Sequence, residues 1–126
     1  MKYKKRDLIL DGIKAEILVK KYSTPLYCYS LKKIRENIIN FKRNFNKINP
    51  IICFAVKANP NKILLKKISK LGLGADVVSI GELMRALKSG IKPNKIVFSG
   101  VGKTSKEISY AIDKKILLIN AESKSE

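Results

Sequence analysis

Histidine is absent from this 126-residue sequence. Its absence excludes, within this chain, His-dependent catalytic triads, His–metal sites and zinc-finger patterns. No apolar run nears the ~20 residues that span a bilayer, which excludes an integral membrane protein. The basic start, Met1-Lys2-Tyr3-Lys4-Lys5-Arg6-Asp7, leads into no apolar stretch of secretory type. No signal peptide is expected, and a cytoplasmic location is. Cysteine is also scarce. Cys28 and Cys53 sit inside apolar runs and show no Cys-x-x-Cys or metal spacing. Both are expected to be reduced core residues rather than a disulfide.

Acidic residues are few: 27 Lys and Arg face 10 Asp and Glu, a net charge of +17. Such an excess suggests nucleic acid. Yet only 4 of the 27 basic residues are Arg, the side chain suited to bidentate phosphate and base contacts. The 23 lysines are spread along the chain, and Lys, Ile and Asn together make 50 of the 126 residues. That skew reads as the composition of an AT-rich genome, not as a nucleic-acid footprint. A hydrophobic share of 45% is ordinary for a globular protein and excludes wholesale disorder.

Periodicity orders what is present. Leu31, Ile34, Ile38, Phe41, Phe45 and Ile48 recur at steps of three and four, which predicts a helix over 30–48. Ser30 is its expected N-cap, and Asn49-Pro50 its end. After Pro50 a strand–helix pattern repeats. Strands are predicted at 51–56, 75–80, 95–99 and 116–120, with helices at 61–71, 81–89 and 104–115 between them. The expected inward residues are Ile63, Leu64, Ile68 and Leu71, then Leu83, Met84 and Leu87, then Ile108, Ala111 and Ile112. Thr104-x-x-Glu107 matches a capping box. Strands apolar on both faces and joined by helices imply a parallel sheet with right-handed crossovers. Two architectures fit, an open doubly wound sheet or part of a (β/α)₈ barrel. A closed barrel takes eight strands and about 250 residues.

Lys57 stands out among the lysines. It ends the apolar strand Cys53-Phe54-Ala55-Val56, and alternation places it on the face of the small residues Cys53 and Ala55. Barrel enzymes place their chemistry at the C-terminal ends of strands. An amine desolvated there becomes nucleophilic and able to form a Schiff base. The bland alternative is a strand-end lysine reaching solvent. Gly100-Val101-Gly102-Lys103-Thr104 resembles the tail of a Walker A loop, but Val97 occupies the position where that motif needs its first glycine.

Phe54-Ala55-Val56-Lys57-Ala58-Asn59, followed by Leu64-Leu65, Ile68 and Gly72, resembles the lysine segment of the fold-type III pyridoxal-phosphate-dependent ornithine, diaminopimelate and arginine decarboxylases. Gly74-Ala75-Asp76-Val77-Val78-Ser79 with Gly81-Glu82-Leu83, and Lys95-Ile96-Val97-Phe98-Ser99-Gly100-Val101-Gly102-Lys103-Thr104, are similar to the diaminopimelate branch. So are Thr24-Pro25-Leu26-Tyr27-Cys28-Tyr29 and Asn120-Ala121-Glu122-Ser123. The resemblance runs from about Ile17 to the last residue. It implies the N-terminal half of a (β/α)₈ barrel with four parallel strands, preceded by a strand that belongs with a second, β domain.

On this reading residues 1–29 form the N-terminal segment and that lead-in strand. Residues 30–126 form a partial pyridoxal-phosphate-binding domain. The resemblance further implies that Lys57 holds pyridoxal 5′-phosphate covalently, that Asp76 and Glu82 lie near it, and that no metal takes part. The implied reaction converts meso-diaminopimelate to L-lysine and carbon dioxide. The implied partners are an amino-acid substrate and a second subunit, without nucleic acid or membrane. From position alone, Asp76 also reads as a polar strand residue and Glu82 as a first-turn helix acid. The family draws on later strands and a C-terminal domain for phosphate, pyridine-nitrogen and substrate contacts. The expectation is therefore a chain about three times longer, with another fold-type III amino-acid decarboxylase or a truncated non-catalytic product as the alternatives.

Overall fold

The computed structural model describes residues 2–45 and 47–126, arranged as two compact units, Met1–Asn49 and Pro50–Glu126. Met1 of the basic start, and position 46 within the expected helix 30–48, lie outside the described residues.

The first unit opens with an antiparallel sheet that the sequence reading did not anticipate. Strands β1 (Lys2–Lys4), β2 (Asp7–Leu10) and β3 (Ile13–Lys14) pair in the order β1-β2-β3. Asp11 and Gly12 link β2 to β3, both with positive φ, at 49° and 89°. An Asp-Gly pair favours this two-residue hairpin because both central residues must turn left-handed. The Lys14 ammonium pairs with Asp7 at 2.7 Å across the two strands. Helix α1 (Ala15–Tyr22) follows. Residues 25–29, the expected lead-in strand, adopt no regular structure.

Helix α2 (Leu31–Asn44) starts where expected, with the Ser30 hydroxyl accepting from the Lys33 N–H at 2.9 Å. It stops short of residue 48, in a run where Asn44 and Asn49 flank low helix propensity and Pro50 forbids continuation. None of its residues is buried, although Phe41 and Phe45 stack with ring centroids 4.6 Å apart. Cys28 is exposed, which corrects its expected place in a core, while Cys53 is half-buried; both are free thiols.

The second unit is the predicted repeat. Strands β4 (Cys53–Ala55), β5 (Gly74–Val77), β6 (Ile96–Phe98) and β7 (Leu118–Ile119) form a parallel sheet in chain order. Helices α3 (Lys62–Lys70), α4 (Ile80–Lys88) and α5 (Ser105–Asp113) make the crossovers. Each is capped by a side chain: Asn61, Ser79 and Thr104 accept from backbone N–H groups of the first turn. The Thr104–Glu107 capping box is present in both directions.

One face of this sheet makes the core. Ala75, Val77, Ile96 and Phe98 are fully buried and pack with Leu65, Leu83 and Ala86 from the helices. Each large apolar side chain enclosed in this way contributes roughly 1.5–3 kcal/mol. Three expected inward residues are corrected. Ile63, Met84 and Ile112 are exposed, and Leu65 and Ala86 fill core places instead. A helix only nine residues long turns a narrow stripe to the sheet, so an apolar residue one position off that stripe faces outward.

The other sheet face carries Cys53 and Ala55, then Gly74 and Asp76, then Val97, then Leu118, matched across the strands by the parallel register. Gly74 is required on steric grounds. A Cβ there would collide with the Lys95 carbonyl oxygen and press on Cys53 Sγ. Gly74→Ala should therefore destabilise the full-length protein by about 1–3 kcal/mol, the usual cost of overpacking, as measured by urea unfolding.

Candidate functional site

The C-terminal ends of the parallel strands bring together Asp76, Ser99 and Asn120. Strand β4 ends at Ala55, and residues Val56–Ala58 form a single 3₁₀ turn with Lys57 at its centre. Lys57 was expected as the last residue of the strand. The chain leaves the sheet earlier because Pro60 lacks an N–H, and Asn59 and Asn61 turn the backbone toward α3. Val56 is fully buried and anchors the turn from below. The Asn59 N–H donates to the Val56 carbonyl at 3.1 Å, and the Asn61 N–H donates to Asn59 Oδ1 at 2.9 Å. Asn61 Oδ1 in turn accepts from the Ile63 and Leu64 N–H groups. Lys57 is thus held between a buried anchor and a capped helix start. Its side chain is exposed, and its amine meets no hydrogen-bond or ion-pair partner among the described residues. The desolvation expected around it does not come from this chain's own side chains.

Asp76 lies on β5 opposite Ala55, two residues before the row that Lys57 begins. It is half-buried, and its Oδ1 accepts from the Ser99 hydroxyl at 2.7 Å. Ser99 Oγ accepts in turn from Asn120 Nδ2 at 3.0 Å. These two partners come from the ends of β6 and β7, and the sequence reading gave them no role. The available signal was their spacing, because each follows by two residues a strand position registered with Asp76. Burial pushes the Cys53 thiol up from its ordinary value, and the nearby Asp76 carboxylate adds to that rise.

Glu82 has the first-turn role open to it. Its Oε2 accepts from the Val78 N–H at 2.9 Å, while its own N–H donates to the Ser79 hydroxyl at 3.3 Å. Glu107 joins two helix starts. Its Oε2 accepts from the Thr104 N–H at 3.0 Å and the Thr104 hydroxyl at 2.9 Å, and its Oε1 from the Ile80 N–H at 3.2 Å. The Thr104 bonds first, and then the Ile80 bond, hold the Glu107 carboxyl below its ordinary value.

The glycine-rich loop after β6 does not offer its lysine to a nucleotide. Lys103 Nζ donates to the Gly100 carbonyl at 2.6 Å and pairs with Glu126 at 2.6 Å, and its side chain is only 2% exposed. The Lys103 ammonium first, and then the Glu122 N–H, hold the Glu126 carboxyl below its ordinary value.

Residues 31–126 match the family model described as pyridoxal-dependent decarboxylase, pyridoxal binding domain. The chain belongs to this family. Diaminopimelate decarboxylase of Helicobacter pylori strain J99 is 51% identical over 108 residues, covering 86% of this chain and 27% of that enzyme. A solved structure of a protein from Aquifex aeolicus superposes with a TM-score of 0.91 at 44% identity, over 98% of this chain and 31% of its own. Diaminopimelate decarboxylase from H. pylori, solved in complex with L-lysine, gives a TM-score of 0.80 at 48% identity, over 86% of this chain and 27% of its own. The chain therefore spans about three tenths of the length of these relatives. Its parallel sheet is the first part of the pyridoxal-binding barrel, which decides between the two architectures that the strand–helix repeat allowed.

The Glu107 linkage has a measurable consequence. A carboxylate whose folded value is depressed contributes stability above its unfolded value and loses it as pH falls through the folded one. Urea unfolding of the full-length protein should show Glu107→Gln flattening the loss of stability between about pH 5 and pH 3. Thr104→Ala should cost about 1 kcal/mol at neutral pH through the lost cap.

Proposed function

We propose that the whole protein containing this chain decarboxylates meso-diaminopimelate to L-lysine and carbon dioxide with pyridoxal 5′-phosphate. The observation that carries this reading is the placement of Lys57. It is an amine without a partner among the described residues, in a fixed turn at the C-terminal end of the first parallel strand, inside the segment matched by the pyridoxal-binding family. The identity of 51% to a diaminopimelate decarboxylase supports the substrate, as does the L-lysine bound by a relative 48% identical.

The donor set fits the cofactor. A primary amine is the group with which an aldehyde condenses, and Lys57 offers one without an ion pair to break. Small residues, Ala55 and Gly74, line the sheet face below it. The bound cofactor supplies an electron sink for the pair left when carbon dioxide departs. Lys57 would hold the cofactor through its Nζ, and the same nitrogen, when not so engaged, could carry a proton. Asp76 presents a fixed carboxylate on the same sheet face. Glu82 orders the turn from β5 to α4 and keeps its Oε1 uncommitted beside it. We assign both to the cofactor's surroundings.

The remaining site belongs to the rest of the protein. The chain covers 27% of the H. pylori enzyme, Lys57 stands exposed, and β4 and β7 carry open edges as the outer strands of the sheet. We infer that the 126-residue chain alone is inactive and, from the family resemblance, that the active form is a cytoplasmic homodimer of the longer protein. No helix among the described residues is long and apolar enough to cross a membrane.

Borohydride reduction of the full-length protein with its cofactor, followed by peptide mapping, should mark Lys57. A label on another lysine overturns the assignment. Lys57→Ala should lower the release of carbon dioxide from meso-diaminopimelate by at least about a thousandfold, the scale on which losing a covalent catalyst acts.

A further inference from the structure

We propose that Ser99 and Asn120 are positioning residues for Asp76. They form a hydrogen-bonded ladder across three successive strand ends that fixes one carboxylate oxygen and leaves the other to receive a donor from the ligand at Lys57. The inference rests on the functional reading above for the nature of that ligand, but the ladder itself is a property of this chain.

Geometry argues for it first. The parallel register aligns Ala55, Asp76, Val97 and Leu118 in one row. Ser99 and Asn120 each lie two residues beyond a member of that row, where a period of two returns the chain to the same sheet face, and Lys57 sits in the 3₁₀ turn that follows Ala55 of the row. The Ser99 hydroxyl therefore reaches back diagonally to Asp76 Oδ1 at 2.7 Å, and Asn120 Nδ2 reaches Ser99 Oγ at 3.0 Å.

The direction of the bonds argues second. Asn120 donates to Ser99 and Ser99 donates to Asp76, so each donor polarises the next toward the carboxylate. A hydroxyl that already accepts from an amide is a better donor and has lost its rotational choice. Asp76 Oδ2 has no partner among the described residues. A half-buried carboxylate with one oxygen fixed and one open is arranged to take an N–H or ammonium donor. The sheet interior does not explain the ladder, because the buried core lies on the opposite face.

A double-mutant cycle in the full-length holoenzyme tests the proposal. Ser99→Ala should lower kcat/KM at least about tenfold, as expected for losing a hydrogen bond to a charged group, and Asn120→Ala, whose bond is to a neutral hydroxyl, about threefold. In the Asp76→Asn background either change should cost less than about twofold, because its route runs through the carboxylate. Ser99→Thr, which keeps the hydroxyl, should restore most of the loss. A crystal structure of the cofactor-free full-length Ser99→Ala protein should show the Asp76 carboxylate displaced while the β5 and β6 backbones stay in place. Equal losses in both backgrounds, no rescue by threonine, or an unmoved Asp76 each overturn the ladder. Failure of borohydride to label Lys57 in the unmutated protein would count against the functional reading, and the Asp76 position in the cofactor-free crystal would still decide the ladder.

Discussion

Everything at the strand ends depends on one constraint, the parallel register of a short four-stranded sheet. That register makes Ala55, Asp76, Val97 and Leu118 neighbours although about twenty residues of chain separate each from the next. It also sorts the side chains by face. One face buries Ala75, Val77, Ile96 and Phe98 against the helices, so it cannot hold a polar group without an internal partner. The opposite face is left for Cys53, Asp76, Ser99 and Asn120. A slip of one residue in β5 would exchange its two sets of side chains and put Asp76 into the apolar core. The hydrophobic face therefore fixes the position of the polar one.

Helix starts carry the second part of the design. Each strand is short, and the chain must turn into a helix at once. Asn61, Ser79 and Thr104 satisfy the free N–H groups of the three first turns, where four donors otherwise lack partners. Glu82 and Glu107 extend this capping. Glu82 holds the Val78 N–H, and Glu107 ties the start of α4 to the start of α5. The two acids thus stiffen successive βα turns on the edge that bears Lys57.

Much of this was legible in the residues, and the gaps have physical causes. The repeat of β4 to β7, the Ser30 cap and the Thr104–Glu107 box follow from local chemistry, where one residue and its near neighbours suffice. The Asp11-Gly12 hairpin is equally local, but the short strands around it lack the long apolar alternation that marks a strand in sequence. Other features needed the register. Ser99 and Asn120 are ordinary polar residues until the strands are laid side by side. The Glu107–Ile80 bond joins residues 27 apart, which no periodicity reveals. The exposure of Ile63, Met84 and Ile112 depends on how each helix is rotated over the sheet, a tertiary quantity that a spacing of three and four leaves loose by one position.

The same distinction settles what the +17 charge means for the site. Charge alone does not mark a functional lysine among 23, since most carry their ammonium in solvent. Several are ion-paired: Lys14 with Asp7, Lys20 with Glu16, Lys33 with Glu36 and Lys103 with Glu126. Lys95 is also engaged, donating to the Gly72 carbonyl at 2.8 Å. Lys57 differs by combining two properties that these lysines do not share. Its backbone is fixed by the buried Val56 and the Asn59–Asn61 turn, while its amine has no partner among the described residues. A fixed backbone with an uncommitted amine is what covalent capture of a ligand requires. An ion-paired lysine would have to break its bond first, and a lysine on a frayed segment would lose the entropy of ordering at each capture.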